Sequence, residues 1–265
     1  MKNNIKVISG VFISLAVFLA AVGLHAVSAY AGTYLELKDD EVYNGAGMSW
    51  NGSVLALNGC NFTGQIELPK NATIVVSGVN TIIQDRPYED SGAIIGMGAL
   101  TINGGGTLNV TNAVVTKEKC YAIAGKKELT ISGVTINASA AATDAADMSA
   151  GIVSRKAMKI TGSNITATGS SNARTSIGIK GVKSIAIASS NITAKGTSYG
   201  IVSTGDVMGI SFSNIDAAGE KGALKAKDNL TFVGENGGTP GVKNDRWYVL
   251  NGNERATSVK LTAGQ

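Results

Sequence analysis

Histidine is almost absent from this chain: His25 is the only one in 265 residues. It lies in an N-terminal stretch read below as a removable targeting segment, which leaves the mature chain without an imidazole. A Ser-His-Asp triad, a Cys-His pair and a His-ligated zinc or iron site are then excluded. Proline is scarce, at 3 residues against 34 glycines, which fits neither a Pro-rich linker nor collagen. The charged share, 16%, is low enough to argue against an acidic or basic tail. Aromatic residues are only 5% of the chain, so a broad ring platform for a ligand is not expected. Cys60 and Cys120 are the only two cysteines. Export would permit a disulfide between them; the plainer reading is two small buried side chains.

What is present begins with a secretory layout. Lys2 and Lys6 precede an uncharged apolar run over residues 7–24, and Val27-Ser28-Ala29 and Ala29-Tyr30-Ala31 are small-x-small sites. This predicts a signal peptide over residues 1–31 and a protein that is secreted or held on the extracellular cell surface. A membrane enters only if that segment is retained as an anchor. Removing it takes two lysines and no acid, so the formal net charge falls from +4 to +2. The basic excess is therefore a poor argument for nucleic acid as a partner.

The body is a repeat. Residues 129–138, LTISGVTINA, return as MKITGSNITA at 158–167, IAIASSNITA at 185–194 and MGISFSNIDA at 208–217, with an earlier copy at 100–110. Weaker copies begin at Val54, Ile74 and Leu230. Anchored on Ile102, Ile131, Ile160, Ile187, Ile210 and Phe232, the steps are 29, 29, 27, 23 and 22 residues. A second element recurs in phase as Ala93-Ile94, Ala122-Ile123, Gly151-Ile152, Gly178-Ile179, Gly200-Ile201 and Ala223-Leu224. Alternating apolar residues rich in β-branched types read as strands with one buried face, and Gly, Ser and Asn between them read as turns. Three short strands per step is the arithmetic of a parallel β-helix of about eight coils, stacked at about 4.8 Å. A sandwich would need hairpins between neighbouring strands; these copies repeat in one sense. Residues 32–52 are read as an N-terminal cap, 53–235 as the repeats and 236–265 as C-terminal cap strands. Asn164, Asn191 and Asn214 are expected to form a side-chain ladder, and Trp50 and Trp247 to cover the ends of the core.

The units LTISGVTI at 129–136 and Tyr121-Ala-Ile, with the opening SWNGSVLALNG at 49–59 and Val79-Asn-Thr-Ile82, resemble the coils of secreted bacterial right-handed parallel β-helix proteins often labelled carbohydrate-binding domain-containing. The pectate-lyase-like proteins share that architecture. The resemblance covers roughly residues 45–235. It implies a right-handed, single-stranded all-β coil, an extracellular polysaccharide ligand and bound Ca2+.

Stacking turns the coil corners into columns. One column carries Asp85, Glu89 and Asp90 in a single loop, then Asp144 and Asp147 two coils on; these carboxylates are the candidate calcium ligands, because calcium takes six to eight oxygens. The second column reads Lys126-Lys127, Arg155-Lys156, Lys180, Lys183, then Lys225 and Lys227, interrupted by Asp206 in the intervening coil, and predicts a basic stripe suited to an acidic polysaccharide. Tyr121 and Tyr199 precede equivalent strands and share a column; with Tyr88 in the acidic loop they are the candidate sugar-contacting rings. No residue is marked as catalytic. Three readings follow: a non-catalytic polysaccharide-binding protein, a polysaccharide lyase or hydrolase, and a structural or adhesive spine.

Overall fold

The computed structural model describes residues 33–87, 92–114, 118–142 and 146–264. The predicted signal segment lies outside them, as do Tyr88, Glu89, Asp90 and Asp144. Among the described residues there are strands and no helix. The fold is all-β, a stack of parallel coils.

Each coil gives one strand to each of three parallel sheets. Sheet 1 runs through Val54–Asn58, Ala72–Ser77, Leu100–Asn103, Leu129–Ser132, Met158–Thr161, Ile185–Ala188, Val207–Ser211 and Asn229–Val233, eight rungs in sequence order. Its register is the one the repeat gave: Leu55, Ile74, Ile102, Ile131, Ile160, Ile187, Ile210 and Phe232 pair one above the next. Sheet 2 contains Val79–Gln84, Thr107–Asn112, Thr135–Ala140, Asn164–Thr168, Asn191–Lys195 and Asn214–Ala218. Sheet 3 contains Gly92–Gly96, Lys119–Gly125, Met148–Ser154, Thr175–Gly181, Tyr199–Ser203 and Leu224–Ala226. In the first coil a single strand, Asn61–Leu68, pairs into both sheets. In later coils a corner loop separates them.

Stacked aliphatic columns make the core. In sheet 3, Ile66, Ile94, Ile123, Ile152, Ile179, Ile201 and Leu224 are fully buried. A single coil would leave these side chains wet; burying each against its neighbours contributes about 1.5–3 kcal/mol. Beside them, Gly151, Gly178 and Gly200 sit where a Cβ would run into backbone of adjoining segments: at Gly178 it would lie 2.6 Å from Lys195 N and 2.7 Å from Gly200 O. That crowding is the reason these three coils begin the second repeat element with Gly.

The corner between sheets 1 and 2 follows one recipe. Gly133, Gly162, Ser189, Phe212 and Gly234 all have left-handed φ, between 49° and 72°. The residue after each carries a ladder. The Ser163 N–H donates to Ser190 Oγ (3.2 Å), the Ser190 N–H to Ser213 Oγ (3.2 Å), and the Ser213 N–H to Glu235 Oε1 (3.1 Å). Just beyond the corner the expected asparagine ladder is present: Asn191 Nδ2 donates to Asn164 Oδ1 and Asn214 Nδ2 to Asn191 Oδ1, both at 2.7 Å. These asparagines open the strands of sheet 2.

The ends are closed by antiparallel strands. Met48–Trp50 pairs antiparallel with Val54–Asn58, and Trp50 is buried with Nε1 donating to Lys38 O at 2.8 Å. Beyond the last coil, Ser258–Ala263 pairs antiparallel with Asn214–Ala218, and Arg246–Asn251 with Leu224–Ala226; Trp247 packs half-buried on the core. Cys60 and Cys120 are free and buried, and burial pushes both thiols up to about 12.

Candidate functional site: the outer face of sheet 3

The outward positions of sheet 3 form two columns. Gly92, Tyr121, Ala150, Ile177 and Tyr199 stack as one. Ile95, Ala124, Val153, Lys180, Val202 and Lys225 stack as the other, which Tyr248 continues across the antiparallel pair. Tyr121 and Tyr199 thus stand in one column three coils apart, as the repeat implied. In an ordinary solvated sheet these positions would be polar. Here Ile95, Tyr121, Ala124, Ala150, Val153, Ile177 and Val202 are buried as a second apolar cluster, with Met148 and Tyr199 against it.

Cations lie over this floor. Lys225 Nζ is 4.8 Å from the centre of the Tyr199 ring and 3.2 Å from its hydroxyl. The Arg255 guanidinium is 4.6 Å from the centre of the Tyr248 ring. Lys180 Nζ reaches Met148 Sδ in the coil below at 3.3 Å, and the Tyr121 hydroxyl reaches the same sulfur at 3.5 Å. Tyr121 is only 8% exposed, and burial pushes its phenol up to about 12. Burial lowers the Lys180 ammonium, and the charges of Lys119 and Arg155 lower it further. Of the rings expected to meet sugar, Tyr88 lies outside the described residues, Tyr121 is part of the floor and Tyr199 is the one with surface to offer.

The basic residues divide between two places. Lys180 and Lys225 belong to strands of sheet 3, not to the corner. Lys126, Lys127, Arg155, Lys156 and Lys183 do lie at the corner between sheets 3 and 1. There the Lys183 N–H donates to Lys156 O and the Asp206 N–H to Lys183 O, so Asp206 interrupts the column as expected, and Asp228 follows it. The single stripe becomes a corner row and a strand row because the sheet 3 strands run two residues past the core isoleucine.

The acidic corner gathers less. Asp85 is exposed. Asp147 Oδ1 faces Arg174 Nη1 at 3.3 Å, with both side chains largely in solvent. Among the described residues no three His, Cys, Asp or Glu side chains converge on one point. Asp85 and Asp147 alone do not make a calcium site. Glu89, Asp90 and Asp144 lie outside the described residues.

Met148, Lys119, Tyr248 and Arg255 were not singled out as ligand-binding residues. Lys119 and Met148 are adjacent rungs of one column, and counting outward from the core isoleucines would have found them. Tyr248 and Arg255 arrive through the C-terminal cap, which carries no repeat signal. No family model, curated protein or solved structure matches the chain.

Proposed function

We propose that this is an exported, non-catalytic polysaccharide-binding protein whose ligand lies along the coil axis on the outer face of sheet 3. The observation that supports it is the concentration of rings and donors on that one face. Tyr121, Tyr199 and Tyr248 lie there with Lys180, Lys225 and Arg255, in a chain otherwise poor in aromatics. A sugar offers a C–H face to a ring or an apolar floor and hydroxyls to flanking donors. The rise per coil, about 4.8 Å, is close to the length of one sugar residue, so a linear chain laid along the axis meets equivalent positions repeatedly.

The test is affinity electrophoresis of the mature protein through gels carrying single polysaccharides. Retardation by at least one linear polymer, weakened about tenfold by Tyr199→Ala, is the expected result. Migration unchanged in every gel overturns the reading. Release of oligosaccharide from the retarding polymer shows an enzyme instead. Retardation abolished by chelation brings the 84–91 loop, with Asp85, into the site.

A further inference from the structure

We propose that Lys225 and Arg255, set round the Tyr199 and Tyr248 rings at the C-terminal end of sheet 3, form an anion subsite that takes the carboxylate of an acidic sugar residue. The inference rests on the polysaccharide reading and narrows it to polymers that carry acid groups.

Strand pairing brings these side chains to one face. Leu224 and Ala226 are buried in the core, so Lys225 between them points outward. Lys225 pairs with Tyr248; Leu250, two residues on and therefore on the same face, pairs with Arg255. Lys225 Nζ is 4.8 Å from the centre of the Tyr199 ring and 5.8 Å from that of Tyr248, and the Arg255 guanidinium is 4.6 Å from the latter. The two cations are thus neighbours about one ring. Neither has a carboxylate partner among the described residues. The acids nearest in sequence are engaged elsewhere: Asp228 pairs with Lys227, and Glu254 with Lys243. The hydrogen bond from Lys243 is the chief cause of the lowered Glu254 carboxyl, and the charge of Arg255 the least. Lys225 Nζ donates to the Tyr199 hydroxyl at 3.2 Å and has two further donors. Arg255 makes no hydrogen bond to the described residues, and its Nε is buried without an acceptor. Two half-buried like charges raise each other's free energy, and an anion between them relieves it.

The surroundings argue for a sugar acid over a free inorganic ion. A guanidinium stacked on a ring keeps its edge for the two oxygens of a carboxylate. Beside it the Tyr199 ring and the Leu250 side chain, both half-buried, leave apolar surface next to the charges. An anion joined to a C–H face fills both the charged and the apolar parts of this surface; sulfate fills only the first.

The test compares alginate with the same polymer after esterification of its carboxylates. It uses the mature wild-type protein, the variants Lys225→Met, Lys225→Arg and Arg255→Met, and a control, Lys159→Met, at an exposed position on the outer face of sheet 1. Binding to the acid form should be at least about tenfold tighter than to the ester. Lys225→Met and Arg255→Met should each lose about tenfold on the acid form. Lys225→Arg, which keeps the charge, should recover most of that loss, and Lys159→Met should change little. Equal binding of acid and ester overturns the subsite and leaves the polysaccharide reading standing. Acid-selective binding untouched by Lys225→Met and Arg255→Met puts the anion elsewhere and also overturns it. A loss in Lys225→Met that Lys225→Arg does not restore assigns the lysine to packing of the cap, with the same consequence. No binding of either polymer, while the Tyr199-dependent retardation by another polymer holds, overturns the subsite alone; no retardation anywhere overturns both. Displacement by inorganic sulfate as effective as by a free uronic acid removes the sugar from the subsite.

Discussion

Two glycines show how differently one residue type can be constrained. Gly162 sits at φ 57° with open space where a Cβ would go. Gly178 has no such φ, but its Cβ position is filled by backbone of the neighbouring strands. Gly162→Ala should therefore cost only the left-handed penalty, about 1–2 kcal/mol, less what alanine removes from the unfolded chain. Gly178→Ala should cost several times more, because two layers of backbone must separate. Urea midpoints of the two variants compare them directly, and equal shifts would refute the packing account. Lys180 is a different case. Its folded pKa lies below its unfolded one, so between the two the unfolded chain binds more protons and stability rises with pH. Without ligand, Lys180→Met should be more stable than wild type at pH 7. That advantage should shrink as pH climbs toward 10.5, above which the amine becomes neutral in both states. Melting temperatures across pH 7–10 test the sign.

At the scale of elements, each coil is bolted to the next by groups the hydrophobic columns do not provide. The serine ladder is the clearest instance: the Ser163 N–H, at a buried corner, has Ser190 Oγ as its acceptor. Ser190 Oγ also donates to Ala188 O at 2.7 Å. Ser190→Ala strands a buried donor and should cost about 1–3 kcal/mol, read as a shift in urea midpoint. A solvent-facing change on the same corner, Ser189→Gly, should stay within about 1 kcal/mol. The ladder ends on Glu235, whose carboxyl is raised by burial against the hydrogen bonds that favour its charge. The asparagine ladder belongs to the same scale, yet it is exposed, and its work is to fix the register of sheet 2 rather than to bury surface.

For the whole molecule, contacts run between successive coils, so stability is close to a sum over neighbours. Excising residues 158–184 removes one complete coil and joins Ala157 to Ile185 in register, since Met158 and Ile185 are partners. The shortened protein should keep its β circular dichroism and melt cooperatively at a lower temperature. An excision out of phase, residues 158–170, should not, because it removes one strand each from sheets 1 and 2 and makes two strands of sheet 3 follow each other directly. Loss of folding in both would mean that the repeats are not interchangeable rungs.

The sequence alone determined the rungs: a strand period of two, a step of 22 to 29 residues and small residues at fixed offsets leave one economical way to bury the isoleucines, and each anchor pairs where the repeat put it. It also determined the asparagine ladder, because identical residues at identical offsets must stack. The outer surface was legible only in part. Tyr121 and Tyr199 fell into one column by phase, whereas Lys180 and Lys225 read as corner residues because no local signal marks where a strand ends. The second apolar cluster, the seating of Met148 between a lysine and a phenol, and the arrival of Tyr248 and Arg255 from the cap were decided by tertiary structure. They depend on side chains from separate coils meeting on one face, a proximity that spacing along the chain does not encode.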